Sequence, residues 1–172
     1  MSVFLKRLAI CIALMLLQIF ALDRICILGY ATPYIYIYLV LILDSDVGPV
    51  GRMLWGFAMG LVADVFTDTP GVQAAALTLT AYLQPYMLRL FITFDRRTRL
   101  NPGIVSMGVG PCSLYFIAGS FVFNLARGLL SISPVTGLLM FCAEVVICSL
   151  LSYILMFVTE WLLRRRRRKY YR

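Results

Sequence analysis

The sequence contains no histidine, and its five cysteines are scattered singly, without a C-x-x-C pair. The Ser/His/Asp and Cys/His arrangements of hydrolases are therefore excluded, and no Gly-rich loop follows a strand to hold a phosphate. The cysteines lie mostly inside apolar runs, where a thiol is more often a small buried hydrophobic group than a metal ligand or a disulfide partner. We expect no enzymatic activity, no metal site and no cofactor.

Charged residues are also few. They make up 14% of the 172 residues, whereas 62% of the residues are apolar. Soluble domains contain roughly 45–50% apolar residues. No polar stretch between the apolar runs is longer than about a dozen residues, which leaves no room for a soluble domain. The sequence therefore predicts an all-α integral membrane protein.

Six apolar runs predict six transmembrane helices in a single domain, residues 1–163, and a basic tail follows at 164–172. The predicted spans are about 8–22, 30–43, 52–68, 70–92, 102–126 and 134–163. The first span follows Lys6 and Arg7, as the apolar part of a signal peptide would. Because no A-x-A cleavage site follows it, we interpret this span as a retained helix.

The second run is the shortest of the six. Only ten residues follow Pro33, from Tyr34 to Leu43, and they give about 15 Å of helix against a hydrocarbon core of about 30 Å. By length alone this run could be re-entrant or could span. Its tyrosines, at positions 30, 34, 36 and 38, would suit an aromatic belt at the outer interface.

The distribution of basic residues favours six complete crossings. With six spans and a cytoplasmic N-terminus, fourteen of the sixteen Lys and Arg residues face the cytoplasm, and only Arg24 and Arg127 face outward. If the second run did not cross, thirteen basic residues would face outward, contrary to the positive-inside rule. We therefore expect both termini to be cytoplasmic.

A basic run follows the last span directly. It consists of Arg164, Arg165, Arg166, Arg167, Arg168 and Lys169. Basic residues next to a span are attracted to anionic lipid by about 1 kcal/mol each. We expect this run to contact anionic lipid, and we do not expect the protein to bind nucleic acid.

The third and fourth spans are predicted to form a hairpin. Gly56, Gly60 and Asp64 recur every four residues and share one helix face, which we expect to contact protein, either within the bundle or on a partner helix. In the turn, Thr69 is expected to cap the next helix and Pro70 to occupy its first position.

Two carboxyl groups lie at membrane depth. By helical rise, Asp64 is about 6 Å and Glu144 about 16 Å from the outer boundary. They could form a proton or substrate site together. We favour a structural role, in which Asp64 pairs with Arg24 or Arg127 and a neutral Glu144 is hydrogen-bonded to a neighbouring helix.

Two further polar residues occur within or beside the spans. Gln84 precedes Pro85, and with Thr78 and Thr80 it is a candidate to bond the carbonyl that the proline leaves free. Glu160 precedes the basic run and is predicted to be salt-bridged at the helix end.

The hairpin resembles that of the rod-shape-determining membrane protein family MreD. The residues that carry this resemblance are Gly56-Phe57-x-x-Gly60-Leu61-x-x-Asp64, then Gly71, then the Ala- and Leu-rich run 74–83. The chain length, the six apolar segments, the short second segment and the basic C-terminal end are also similar to that family.

The resemblance implies a non-enzymatic component of the bacterial cell-elongation complex in the cytoplasmic (inner) membrane. Such a protein helps maintain cell shape beside the bitopic protein MreC, and is linked indirectly to MreB filaments and peptidoglycan synthases. The implied fold is similar to the substrate-binding (S) subunit of energy-coupling-factor transporters. Gly56, Gly60, Asp64 and Gly71 are implied to be helix-packing or partner-contact residues.

The alternative interpretation is a small-molecule-binding membrane subunit of an energy-coupling-factor-type transporter. Asp64 and Glu144 would then line a ligand cavity. The sequence leaves open the oligomeric state and the ionisation of these two carboxyl groups.

Overall fold

The computed structural model describes residues 18, 33–43, 47–91, 107–131 and 138–170. The predicted first span, except Gln18, lies outside this part of the chain, as do Arg24 and Tyr30. The described residues form helices, with no strand among them. In chain order the helices are α1 Ile37–Leu41, α2 Pro49–Thr67, α3 Val72–Phe91, α4 Val109–Leu130 and α5 Leu138–Tyr170.

Three of these helices are long and apolar enough to cross a membrane. They are Pro49–Thr67, Val109–Leu130 and, within α5, Leu139–Leu162. Helix α3 is also long enough, with 20 residues, but its glutamines and threonines lower its mean hydropathy. The protein is therefore all-helical in its described part, and its apolar helices are typical of a membrane protein.

Consecutive long helices pack against one another, α2 on α3, α3 on α4 and α4 on α5. We call the end of the bundle that holds the turn 68–71 the turn end, and the opposite end, with Arg52 and Arg89, the basic end. Helices α2 and α4 run from the basic end to the turn end, and α3 and α5 run back. The described long helices therefore alternate in direction.

Helices α2 and α3 approach closely at two glycines. A Cβ atom added to Gly60 would lie 2.3 Å from the Cα atom of Ala74, and one added to Gly56 would lie 3.0 Å from the carbonyl oxygen of Leu77. Backbones approach this closely only where a side chain is absent. The glycine face of α2 is therefore covered by α3.

Residues 33–43, which we call the central segment, lie inside the bundle. Residues 33–35 are not helical, α1 has only five residues, and every residue from 33 to 41 is buried. Within the predicted span 30–43, the described part is thus helical only over Ile37–Leu41, and its crossing of the membrane stays a prediction. At membrane depth a non-helical backbone is tolerated where protein surrounds it, and α3 and α4 pack against this segment.

The tyrosines of the central segment are core residues. Tyr34, Tyr36 and Tyr38 are 4%, 1% and 2% exposed, so the expected belt of tyrosines at the interface is wrong for these three. The ring centroids of Tyr34 and Tyr36 lie 5.5 Å and 5.7 Å from that of Phe123, and that of Tyr38 lies 6.0 Å from that of Phe116. Aromatic packing against α4 thus fixes the segment at the centre of the bundle.

Candidate functional site

The backbone of the central segment is bonded by side chains from other parts of the chain. At the turn end, Gln18 Nε2 donates to the Pro33 carbonyl at 2.9 Å, and Gln18 Oε1 accepts from the Ile35 N–H at 2.9 Å. Ser152 Oγ on α5 accepts from the Tyr34 N–H at 3.0 Å. These groups replace the hydrogen bonds that a regular helix would make within itself.

At the basic end, Gln84 bonds the last carbonyls of the segment. Its Nε2 atom donates to the carbonyls of Leu41 at 3.2 Å and Leu43 at 3.0 Å, and its Oε1 atom accepts from Arg52 at 3.3 Å. The Tyr115 hydroxyl of α4 also donates to the Leu41 carbonyl, at 2.8 Å. Gln84 therefore joins three parts of the fold: the central segment, α2 and α3.

This arrangement differs from the expected role of Gln84 beside Pro85. The hydroxyls of Thr78 and Thr80 donate to carbonyls four residues earlier in their own helix, and Gln84 donates to the central segment. None of these three side chains therefore bonds the carbonyl that Pro85 leaves free. Sequence proximity to a proline did not predict their partners.

Two tyrosine hydroxyls of the segment reach other helices. Tyr36 donates to Gln73 Oε1 at 2.8 Å, near the start of α3. Tyr38 donates to Glu160 Oε2 at 2.6 Å, on α5. Glu160 is buried and accepts this hydrogen bond, and its predicted salt bridge with the arginines at the helix end stays a prediction.

Asp64 caps the helix that follows it. Its Oδ1 atom accepts from the Gln73 N–H at 2.9 Å and from the Thr69 hydroxyl at 3.1 Å, and its Oδ2 atom accepts from the Ala74 N–H at 3.0 Å. The N–H groups at the start of a helix have no acceptor within the helix. The carboxylate on α2 thus acts as the missing cap of α3.

The turn explains why a remote cap is needed. Helix α3 begins at Val72, preceded by Gly71, which has a φ of +83° and no side chain to cap with. Such a φ favours glycine. The predicted roles of Thr69 as the cap and Pro70 as the first helical residue are therefore wrong, because the helix begins after both.

Glu144 pairs with Arg127 at 2.7 Å. The Arg127 guanidinium also lies 5.1 Å from the centre of the Tyr34 ring, in a cation–π contact. Because Arg127 is in the last turn of α4, Glu144 lies near the turn end. Its sequence position had instead suggested a place near the midplane. The expected pairing of Asp64 with Arg127 is also wrong, since Arg127 binds Glu144.

The two carboxyl groups are not parts of one site. Asp64 binds the start of α3 and Glu144 binds α4, and their contacts share no residue. Among the described residues, no group of three His, Cys, Asp or Glu side chains could hold a metal ion. Chemically, the polar groups of this interior join helices to one another and to the central segment.

The α2 residues that carry the family resemblance are divided between two faces of the helix. Gly56, Gly60 and Asp64 point towards α3, whereas Phe57 and Leu61 are exposed on the outside of the bundle. The inner residues hold the hairpin together. A partner that contacts these α2 residues would therefore meet the large side chains and not the glycines.

Several residues of the buried polar network were missed by sequence reasoning. They are Ser152, Gln73, Tyr115 and the three tyrosines of the central segment. The two-residue alternation of those tyrosines is typical of extended backbone, but Tyr36 has helical φ and ψ angles and Tyr38 lies in α1, so it was no guide to this network. The basic run 164–169 continues α5 as helix, and its contact with anionic lipid stays a prediction.

No family model matches the chain, and no curated protein and no solved structure is significantly similar to it. The family resemblance therefore rests on the hairpin residues and on the overall pattern of apolar runs.

Proposed function

We propose that this protein is a non-enzymatic scaffold of the MreD type in the bacterial cytoplasmic membrane. It has six spans, both termini in the cytoplasm, and a fold similar to the substrate-binding subunit of energy-coupling-factor transporters. It binds an MreC-like bitopic protein and, through that protein, MreB filaments and peptidoglycan synthases. The observation that carries this proposal is the division of the α2 residues that carry the family resemblance into an inner face that holds α2 on α3 and an outer face that is exposed.

The outer face of α2 forms a continuous apolar surface. We call it the α2 stripe, and it consists of Leu54, Ala58, Leu61 and Val65. Their spacing of four, three and four residues places them on one side of the helix, and all four are exposed. Ala58 at the middle would let another helix approach closely, as small residues do between membrane helices.

The positions of the basic residues support the proposed orientation. Arg52 and Arg89 lie at the same end of the hairpin, and α5 carries the run 164–169 to that end of the bundle. The positive-inside rule assigns such an end to the cytoplasm. The alternating directions of α2 to α5 agree with four consecutive crossings.

The contacts of the two carboxyl groups favour a scaffold over a ligand-binding transporter subunit. Both oxygens of Asp64 accept hydrogen bonds from backbone N–H groups of α3. Glu144 is engaged by Arg127. Groups that line a ligand cavity would instead have bonding capacity left for the ligand.

A pull-down from the native bacterium tests the proposal. The tagged chain is purified in mild detergent, and the proteins that accompany it are identified by mass spectrometry. Recovery of an MreC-like bitopic protein with wall synthases is the expected result. Recovery of cytoplasmic ATPases with a coupling membrane subunit would instead establish the transporter interpretation.

A pair of variants then tests the α2 stripe. Ala58→Trp is expected to lower recovery of the bitopic partner about tenfold or more, because overpacking an interface costs about 1–3 kcal/mol. Ala143→Trp is the matched control, since Ala143 is an exposed alanine on α5. Equal recovery with both variants would exclude the stripe. Gly60→Leu is unsuitable for this purpose because it would separate α2 from α3.

A further inference from the structure

An open apolar groove of about 540 Å³ lies on one flank of the α2–α3 hairpin. It is lined by Met53, Phe57, Ala75, Thr78, Leu79 and Tyr82. The groove is beside the α2 stripe and shares no residue with it. Any molecule that fills the groove must therefore present an apolar part to these side chains.

One side of the groove continues along α3 to a cation. The exposed residues Ala75, Leu79, Tyr82, Tyr86 and Arg89 are spaced four, three, four and three residues apart and so share one helix face. The rings of Tyr82 and Tyr86 lie 5.8 Å apart between their centroids. This face, which we call the α3 stripe, thus passes from apolar side chains through two tyrosines to a guanidinium.

The length of the α3 stripe matches that of one lipid leaflet. Seven residues separate Ala75 from Tyr82, and seven more separate Tyr82 from Arg89, which gives about 10 Å for each part and about 21 Å in all. Half of a bilayer has about 15 Å of hydrocarbon and about 5–7 Å of headgroup region. An acyl chain in the groove would therefore place its phosphate at the level of Arg89.

The charges at this end of the hairpin suit a phosphate. Residues 49–62 and 75–91 include Arg52 and Arg89 and contain no Asp or Glu. Arg89 is exposed in the last turn of α3, where its guanidinium can reach the headgroup region. By the same helical rise, Tyr86 lies about 16 Å from Ala75, at the hydrocarbon boundary where the glycerol esters lie, and its hydroxyl is a donor there.

We infer that the groove and the α3 stripe together bind one anionic glycerophospholipid of the leaflet at the basic end. One acyl chain lies between Phe57 and Leu79 and against Tyr82, the glycerol region contacts Tyr86, and Arg89 binds the phosphate. Arginine is well suited to phosphate because its donors form a fixed fork. The site requires no partner protein and is independent of the proposed scaffold function.

Photo-crosslinking of the purified full-length chain tests this site. The chain is reconstituted in phosphatidylcholine vesicles that contain a minor fraction of phosphatidylglycerol with a diazirine at mid-chain, and crosslinked residues are identified by mass spectrometry. We expect labelling of Met53, Phe57 and Leu79 to exceed that of Leu150 and Ile154 on α5. Leu79 is 45% exposed and the two α5 residues are 51% and 53% exposed, so exposure alone predicts the opposite order.

Two variant pairs separate the chain and headgroup contacts. Arg89→Gln is expected to lower groove labelling about fivefold, the effect of one cation near anionic lipid, whereas Arg89→Lys retains it. Ala75→Trp is expected to abolish groove labelling by filling the groove, whereas Ala143→Trp leaves it unchanged. Labelling no higher in the groove than on α5, or labelling that Arg89→Gln does not change, would overturn the proposal.

The same probe in native membrane vesicles distinguishes a lipid from a protein occupant. Continued groove labelling is expected. If Leu150 and Ile154 are labelled there but the groove is not, a partner helix covers the groove and the lipid site is refuted.

Discussion

The α2–α3 hairpin and the central segment satisfy the same physical requirement by different means. Away from water, each backbone N–H and C=O group needs a partner. In the hairpin the helices supply almost all of these partners, and Asp64 bonds the N–H groups that remain at the junction. In the central segment some backbone groups bond one another, and side chains of Gln18, Gln84, Tyr115 and Ser152, from separate parts of the chain, bond others.

The difference shows where the information for each region lies. The Asp64 contacts span nine and ten residues, so the hairpin depends on residues that are close together in the sequence. The contacts of the central segment with α5 span 118 and 122 residues. A local change should therefore break the hairpin, whereas the segment should respond to changes made anywhere in the bundle.

The largest effect is expected where the hairpin backbones touch. Gly60→Leu would place a Cβ atom 2.3 Å from the Cα atom of Ala74. Because backbone cannot yield as a flexible side chain does, we expect a loss of about 3 kcal/mol or more, the upper range for overpacking. Thermal unfolding in detergent measures it. Gly110→Leu is the control, since a Cβ atom at Gly110 meets nothing within 4 Å, and similar melting temperatures for both variants would contradict the contact.

A smaller effect is expected from Gln84→Leu, which acts on the central segment. This change removes the donor to the Leu41 and Leu43 carbonyls and the acceptor of Arg52, so we expect a loss of about 2–3 kcal/mol from unsatisfied buried groups. Thr80→Val on the same helix is the control, because the Thr80 hydroxyl bonds only a carbonyl of its own helix. Unfolding curves that coincide for the two variants would mean that Gln84 does not hold the segment.

The smallest effect is expected at the hairpin junction. Asp64→Asn keeps one acceptor oxygen, but its NH2 group is a donor and faces an N–H group at the start of α3. Loss of a cap costs about 1–2 kcal/mol. Hydrogen exchange at the Gln73 and Ala74 amides should accelerate together with the loss of stability. Asp68→Asn should change neither, because Asp68 is exposed and asparagine tolerates its positive φ of 55°. Unchanged hydrogen exchange at these amides in Asp64→Asn would show that Asp64 does not cap α3.

The same comparison explains which features could be predicted from the sequence. The glycine spacing of α2 indicated a close helix contact because both the pattern and its partner lie within one hairpin. The cap was assigned wrongly to Thr69 because Asp64 acts from the preceding helix, nine residues before Gln73. Capping patterns in a sequence concern residues next to the start of a helix, and they do not include an acceptor that lies on the preceding helix.

The central segment could not be predicted from its own residues. Its apolar tyrosine-rich sequence suggested a short span, but the conformation depends on Ser152 and Glu160, which follow it by more than a hundred residues. Only residues 33–35 before α1 are non-helical, since Tyr36 has helical φ and ψ angles and Tyr38 lies in α1. This short non-helical stretch depends on enclosure by protein, which only the complete bundle provides.

The position of the central segment also constrains the order of events during synthesis. A ribosome adds about 5–20 residues per second, so Ser152 and Glu160 emerge on the order of 10 s after their partners Tyr34 and Tyr38. Until then the non-helical backbone at 33–35 lacks the enclosure that makes it tolerable in lipid. The segment must therefore complete its docking late, after α5 has been inserted. A chain cut short before α5 would expose polar backbone within the bilayer, where membrane proteases could recognise it as incomplete.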